Sequence, residues 1–330
     1  MTLAEAVGRA LGLKYWEDLR TLFLTGCYFV LFAALWFSWK VVWAAGWLSV
    51  YAPLFFIGWM CLCYLSFLGS VATHNCIHCP MFFVRWRNRA FQIALTLVYG
   101  HPVTAYVPGH NLSHHKYTQQ RRDVMRTTKL QYKWHLLNGL MFFVRIGIDM
   151  VFNDAAYFKL QKKMGRPIVK QLELEQYILW TITAALVMGD WKRWVIVAFL
   201  PHLYAKFCIV TLNLLQHDGC DPDSRVNFAR NFTGEWLNWF CYNNGYHTIH
   251  HLHPGLHWSL LPARHERDLV PYMHPALDQQ FILTYIWRTF VWPGVRIDFE
   301  GKPWSPPPLE PDEPWFQDQL TETYSTGENN

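Results

Sequence analysis

The sequence predicts an all-α integral membrane protein, with about four transmembrane helices in two hairpins and a helical, histidine-rich cap on the cytoplasmic side. Two observations predict this fold. Long apolar segments occur in two pairs along the chain, and clusters of histidine follow directly after apolar segments. The mean hydropathy of +0.02 averages these segments with a polar middle and a Pro-rich, acidic end, so it hides the membrane helices.

The first predicted hairpin consists of residues 21–39 and 42–72. Residues 21–39 contain no charged side chain, and a helix of this length crosses about 30 Å of hydrocarbon at about 1.5 Å per residue. After Lys40 the apolar run resumes and continues to about Ala72. Residues 1–20 are expected to form an N-terminal cytoplasmic segment.

The second predicted hairpin consists of residues 175–189 and 194–215, joined by a polar turn at residues 189–193. Four spans place both termini on one side of the membrane. That side is predicted to be cytoplasmic, because cytoplasmic loops are enriched in Lys and Arg and these residues cluster in 85–89, 116–133 and 159–170. No stacking or groove-reading motif accompanies the basic clusters, so nucleic acid is not an expected partner.

The remaining apolar stretches are less regular. Residues 91–107 and 136–152 are short or interrupted, for example by Pro102 and Arg145, and are expected to be interfacial or partly embedded. Residues 21–296 would then form one membrane domain. Residues 297–330 are rich in proline and acidic residues and are predicted to be an extended cytoplasmic tail.

Most of the 16 histidines fall in three clusters. The first contains His74 and His78, at the end of the second predicted span. Side chains at positions i and i+4 share one face of a helix and can bind one metal ion. This pair is weak evidence alone, because two surface histidines at that spacing are common.

The other two clusters are stronger evidence. The second reads His110-Asn-Leu-Ser-His114-His115, and the third reads His247-Thr-Ile-His250-His251. Neutral imidazole binds iron, copper and zinc. Because neighbouring residues on a helix diverge by about 100°, adjacent histidines can face different metals, and the pattern indicates a site with two metal ions.

A ninth candidate ligand, His217, lies where the fourth predicted span leaves the membrane. The second and fourth spans end on the same face, so the three clusters and His217 are expected to converge there. The predicted metal ligands are His74, His78, His110, His114, His115, His217, His247, His250 and His251. Asp123, Asp154, Asp218 and Glu235 are candidates to accept hydrogen bonds from these imidazoles.

The three histidine clusters, in this order, resemble the membrane-bound fatty acid desaturase and hydroxylase superfamily over roughly residues 20–270. The segment from Asn243 through His257 to Pro262 is similar to the bacterial acyl-lipid branch. The resemblance implies a helical membrane cone with a cytoplasmic di-iron cap and an extra histidine before the last cluster, here His217. It implies no catalytic residue beyond the metal ligands and no other cofactor-binding residue.

By this resemblance the protein would be an oxidoreductase that uses two non-haem iron ions and dioxygen as co-substrate to attack an unactivated C–H bond of a fatty acyl chain. Desaturation is the leading expectation. The same ligands would also serve a fatty acid or alkane hydroxylase, or an oxidative decarboxylase that yields a terminal alkene. The substrate would be a free acid, a thioester or a lipid. Electrons would come from an external donor, namely a ferredoxin, rubredoxin or cytochrome with its reductase.

A different class of protein remains an alternative, namely a membrane carrier whose histidines hold a metal ion or haem without chemistry. Carriers more often place ionisable residues within the spans, whereas these histidines cluster at the span ends. The expected location is therefore that of a multi-pass enzyme in contact with membrane lipid, most simply in a bacterial inner membrane.

Overall fold

The protein structure, a computed structural model, describes residues 1–46 and 49–316. These residues are mostly helical, with one small parallel sheet. The α-helices are α1 (Leu3–Ala10), α2 (Leu19–Ala45), α3 (Tyr51–His78), α4 (Arg85–Tyr99), α5 (His115–Tyr117), α6 (His135–Lys163), α7 (Ile168–Trp194), α8 (Leu200–His217), α9 (Glu235–Phe240), α10 (His247–Leu252), α11 (Leu261–Asp268) and α12 (Ile282–Ile286), and the strands are β1 (Asn231–Phe232) and β2 (Asp278–Gln279). Three π-helical segments occur at Pro108–His114, Val195–Phe199 and Trp287–Val291, and 3₁₀ turns at Trp16–Asp18, Val103–Ala105, Thr127–Lys129, Trp258–Leu260 and Pro275–Leu277.

Among the described residues, four helical stretches are long and apolar enough to cross a membrane. They are Trp16–Ala45, Tyr51–His78, His135–Lys163 and Ile168–His217. Large apolar side chains on these helices point outward, for example Phe37 (75% exposed) and Met188 (81% exposed). Such exposure suits contact with lipid rather than water. The predicted fold class, an all-α multi-pass membrane protein with histidine clusters, is confirmed.

The first hairpin turns later than expected. Helix α2 continues past residue 39 and ends at Ala45, because Lys40 is exposed and no helix-breaking residue occurs before Gly46. Gly46 adopts a positive φ of 78°, which glycine tolerates without strain. Of the second predicted span, residues 47 and 48 lie outside the described part of the chain.

The second hairpin reverses at Asp190, whose non-helical backbone (φ −169°, ψ 96°) breaks the stretch 168–217. Two contacts demonstrate the reversal. Glu175 accepts a hydrogen bond from the Thr104 backbone (2.8 Å), and Lys206 Nζ donates to the Gly100 carbonyl (2.8 Å). An unbroken helix would separate residues 175 and 206 by roughly 46 Å, which far exceeds the reach of the four residues from 100 to 104. The turn predicted at 189–193 is therefore present.

The two hairpins point the same way. Near their turns, Trp59 Nε1 donates to the Ile196 carbonyl (2.7 Å) and the Arg193 guanidinium lies 4.8 Å from the Trp36 ring. The opposite ends of α3 and α8 carry His78 and His217. All the histidine clusters consequently meet at the end of the hairpins that lies away from the turns.

The length of helix α6 does not decide whether it spans the membrane or lies at the membrane interface. Its composition would allow it to span, whereas the sequence predicted an interfacial helix at 136–152. Its middle faces the cap, since Asp149 accepts a hydrogen bond from Lys129 Nζ (2.8 Å) and Met150 Cε lies beside Gly109. The interfacial placement stays a prediction.

The expected C-terminal tail packs against the cap along its described part. Residues 300–316 contain no helix, as their prolines predict, but Trp315 is 1% exposed against Tyr157, and Asp312 pairs with Lys129 (2.9 Å). The sequence did not predict this packing, because both partners are more than 150 residues away in the chain. Residues 317–330 of the predicted tail lie outside the described residues.

Candidate metal centre

The first histidine cluster lies on the last turns of α3. His74 is buried and His78 is partly buried, one helical turn apart on one face. The Nδ1 atom of His74 lies 3.2 Å from Asn75 Oδ1. The Nε2 atom of His74 is therefore the nitrogen left for a metal.

The second cluster lies on the π-helical segment Pro108–His114 and the start of α5. In a π-helix the backbone repeats at i and i+5 rather than at i and i+4. His110 and His115 consequently face each other, with their Nε2 atoms 3.1 Å apart. His114 is directed to the other side, whereas its i, i+4 spacing from His110 would place both side chains on one face of an α-helix.

The third cluster occupies the short helix α10, and His217 ends α8. His247 and His251 are one turn apart, and their Nε2 atoms lie 3.1 Å from each other. His247 Nε2 also lies 2.9 Å from His217 Nε2. His250 projects toward α3, with its ring centroid 4.5 Å from that of His74.

The structure brings all nine predicted histidines together in two groups. The first group is His74, His78, His110, His115 and His250; the second group is His114, His217, His247 and His251. Within each group the nearest candidate nitrogen atoms all lie within 4.8 Å of one another. The groups adjoin, since the rings of His115 and His251 stack at 4.1 Å. As predicted for neighbouring residues, His114 and His115 fall in different groups, and so do His250 and His251.

The nitrogen atoms fit metal ions at both groups. Among the described residues, the Nε2 atoms of His78, His114 and His250 are buried without a hydrogen-bond partner. The Nε2 pairs described above are separated by 2.9–3.1 Å, and two nitrogens bound at right angles to one metal at about 2.1 Å would be about 3 Å apart. A cation at each group would therefore satisfy nitrogens that the protein leaves unpaired.

The protonation states of the cap histidines also suit metal binding. Burial first, and then the proximity of other histidines, lowers the pKa well below the usual 6.5 for His110, His115, His247, His250 and His251. These imidazoles are neutral at neutral pH, which is the form that binds metal ions.

Hydrogen-bond acceptors hold two histidines of the second group. His114 Nδ1 donates to Asp123 Oδ2 (2.9 Å), and His217 Nδ1 donates to the Phe228 carbonyl (3.0 Å). Burial alone would raise the pKa of Asp123. The combined effect of His114 and of the backbone N–H groups of Gln119 and Met125 is larger and lowers the pKa below its usual value, so the carboxylate is ionised. These bonds fix the Nε2 atoms of both histidines toward the site.

The other carboxylates proposed from the sequence behave differently. Asp218 pairs with Arg296 (Nε to Oδ2, 2.8 Å) rather than with a histidine, and Glu235 is exposed at the start of α9. The Oδ1 atom of Asp154 is buried without a partner among the described residues. Only Asp123 of the four candidates is hydrogen-bonded to a histidine of the groups.

Three histidines outside the two groups have protein partners. His202 lies 2.9 Å from the Tyr28 hydroxyl, His265 Nε2 lies 3.0 Å from Asp278, and His257 lies 3.2 Å from Asp18. Their separation from the two groups agrees with their isolated spacing in the sequence.

A small cavity lies beside both groups. Its lining residues are His74, Tyr106, His110, Met125, Ile209, Asn213, Gln216, Asn244 and His247. Two of its amides are fixed, because Asn213 donates to the Met125 carbonyl (2.9 Å) and Gln216 donates to the Asn244 carbonyl (2.8 Å). Sequence reasoning missed Tyr106, whose ring centroid lies 5.0 Å from that of His110. Tyr106 could have been identified from its position four residues before His110, which places both side chains on the same side of a helix.

Comparison with known proteins gives one family. The family model described as fatty acid desaturase matches residues 45–281, a range that contains all nine histidines of the two groups. No curated protein matches the chain.

Proposed function

The chain belongs to the fatty acid desaturase family of membrane di-iron oxidoreductases, and from that premise we propose that it desaturates a fatty acyl chain with two non-haem irons. The observation that carries the proposal is the pair of adjoining all-histidine groups at the ends of membrane-length helices. The first group would hold one iron and the second group the other. Bound iron would supply activation of dioxygen, and the protein residues would do the rest.

The residues around the groups support a dry, shaped site. The lining of the cavity that borders both groups includes the apolar side chains of Met125 and Ile209 and the aromatic side chain of Tyr106. We propose that the reacting carbons of the acyl chain lie there. Fixed amides and buried imidazoles would exclude bulk water and position those carbons, and placement within about an ångström governs the outcome of such reactions.

The balance of the reaction identifies what else is needed. Two adjacent methylene groups each lose one hydrogen, dioxygen is reduced to two water molecules, and an external donor supplies two electrons while solvent supplies two protons. The donor is proposed to be a ferredoxin, rubredoxin or cytochrome with its reductase. Hydroxylation would remove one hydrogen and add one oxygen atom of dioxygen to the same carbon, with the other oxygen leaving as water. Oxidative decarboxylation would instead remove a hydrogen beta to a free carboxylate, with loss of carbon dioxide to give a terminal alkene and reduction of dioxygen to two water molecules.

The finer assignments are also proposals. We place the histidine end of the hairpins and both termini in the cytoplasm of a bacterium, and the chain in the bacterial acyl-lipid branch of the family. The basic segment around Arg85 and Arg87 follows directly after the histidine end of α3, which agrees with the excess of positive charge on cytoplasmic loops.

The test is metal and product analysis of the detergent-purified protein. We expect about two irons per chain and, after addition of dioxygen, reductant and fatty acyl substrates, a product lighter by two hydrogens. Added oxygen in the product would identify a hydroxylase, and release of carbon dioxide would identify a decarboxylase. Active protein that contains zinc, or no metal, would contradict the proposal, and iron-loaded protein that turns over no substrate with any donor would favour a carrier.

A further inference from the structure

Residues 282–316, here the C-terminal segment, follow the region matched by the family model. This segment contacts the cap at two places. One contact lies directly after His217 and the other lies on the loop that follows His114. Both histidines belong to the second group.

The first contact is a buried ion pair. Arg296 binds Asp218 through two hydrogen bonds, one from Nε to Oδ2 at 2.8 Å, and both side chains are at most 1% exposed. The next residue, Ile297, places its carbonyl oxygen only 2.2 Å from the position that a Cβ atom would take at Gly219. The segment is therefore packed directly on the two residues that follow His217.

Arg230 reinforces this contact. Its guanidinium donates to the carbonyl oxygens of Asp218 (2.9 Å) and Ile297 (3.3 Å) and to the Tyr285 hydroxyl (2.7 Å). Arg230 thus joins the end of α8 to two parts of the C-terminal segment. Displacement of the segment would leave these buried polar groups unpaired, which is energetically unfavourable.

The second contact involves the basic loop, defined as residues 118–130. Asp312 accepts a hydrogen bond from Arg126 Nε (3.0 Å) and pairs with Lys129 Nζ (2.9 Å). The Glu313 N–H donates to the Arg121 carbonyl (3.0 Å), and buried Trp315 stacks against Tyr157 with centroids 5.8 Å apart.

The basic loop carries the carboxylate that orients His114. Besides the bond from His114, Asp123 accepts hydrogen bonds from the backbone N–H groups of Gln119 (2.8 Å) and Met125 (2.7 Å) of the same loop. A shift of the loop would therefore shift Asp123 and, with it, the ring of His114.

We propose that the C-terminal segment is a positioning clamp for the metal site of the second group. Arg296 acts on His217 through Asp218, and Asp312 acts on His114 through the basic loop and Asp123. Loosening the clamp should therefore weaken retention of one metal ion of the two. This inference rests on the proposed metal centre.

The experiment compares Asp312→Asn and Trp315→Ala with the wild-type protein, each purified with iron. The measurements are iron content per chain and the time course of iron release to an added ferrous chelator. Removal of a hydrogen-bond partner from a metal ligand lowers metal affinity by roughly 10–100-fold. We expect about half of the iron to leave at least about tenfold faster in both variants, while the other half leaves at the wild-type rate.

Two control variants distinguish positioning from general loosening. Asp312→Glu keeps the carboxylate and should restore slow release. Glu173→Gln removes a carboxylate of the exposed pair with Lys162, away from the clamp, and should leave release unchanged. Asp312 is 38% exposed, so the Asn variant is expected to fold, and its unfolding temperature is measured alongside.

The outcomes separate this inference from the proposed function. Equal acceleration for both irons, or no acceleration, would overturn the clamp while leaving the metal centre in place. A wild-type protein that binds no iron would instead refute the metal centre itself.

Discussion

The membrane hairpins and the cap are held together differently. The hairpins present large apolar side chains outward, such as Phe37 and Met188, and contact one another mainly through apolar side chains. The cap buries charged groups whose partners lie far away in the sequence, such as Asp218, which pairs with Arg296, and Lys129, which pairs with Asp312. Dispersion contacts and lipid stabilise the first region, whereas paired polar groups stabilise the second.

This difference determines how each region responds to substitution. Removal of one partner of a buried polar pair leaves the other unsatisfied, which costs more than the original bond contributed. An outward apolar side chain in a span has no such partner. We therefore expect the largest effects in the cap and the smallest on the hairpin surfaces.

The largest effect is expected from the histidines of the two groups. His114→Ala, His115→Ala, His250→Ala or His251→Ala removes one proposed ligand from a compact group, and we expect loss of iron retention and of activity by several orders of magnitude. Iron content and product formation measure both.

His253→Ala is the matched control, because His253 is exposed and lies two residues after His251. It should retain two irons and near wild-type activity. A fully active His250→Ala protein with its full complement of iron would refute the ligand assignment and, with it, the contrast between the two regions.

The next largest effect is expected for Arg296→Gln. The substitution leaves the Asp218 carboxylate buried without its cation, and breaking such a pair typically costs about 3–5 kcal/mol. Thermal unfolding in detergent should show a clearly lowered midpoint. Arg267→Gln removes a cation from an exposed pair with Asp268 and should leave the midpoint nearly unchanged; equal effects of the two would contradict the importance of the buried pair.

The sequence predicted the hairpins better than the cap for a physical reason. Spans follow from apolar composition, which is local, so the turns near residues 46 and 190 are approximately predictable. Eight of the nine histidines could be found because each cluster is itself local, and His217 could be found from its position at the end of the fourth predicted span. The separation of adjacent histidines into two groups was predicted, but the pairing of His110 with His115 was not, because it depends on the π-helix at Pro108–His114. The partners of Asp218 and Lys129 are distant in sequence, and no local pattern identifies them.

A smaller effect is expected for Gly219→Ala, which tests how tightly the C-terminal segment packs against the residues that follow His217. Gly219 has a φ of +71°, a conformation that costs other residues about 1–3 kcal/mol, and its Cβ would also overlap the Ile297 carbonyl oxygen. We expect lower stability and faster loss of part of the iron, because Gly219 lies two residues after His217. Chelator release measured on the variant checks this, and a wild-type release profile would show that the C-terminal segment can yield at this point.

The smallest effect is expected for Gly26→Ala on α2, where an added Cβ meets no atom within 4 Å. Replacing glycine by alanine in a helix interior favours the helix by about 0.5–1 kcal/mol, so the unfolding midpoint should be unchanged or slightly higher, with full iron content.

Gly69→Ala on α3 is the informative partner, because its Cβ would lie 2.4 Å from Val98 Cγ1 and overpacking typically costs about 1–3 kcal/mol. A drop in the midpoint for Gly69→Ala alone would show that the hairpins tolerate change only on their lipid-facing surface. Equal tolerance at both positions would mean that α3 and α4 can move apart. The membrane region would then tolerate substitution at packed helix contacts as well as on its outer surface, in contrast to the cap.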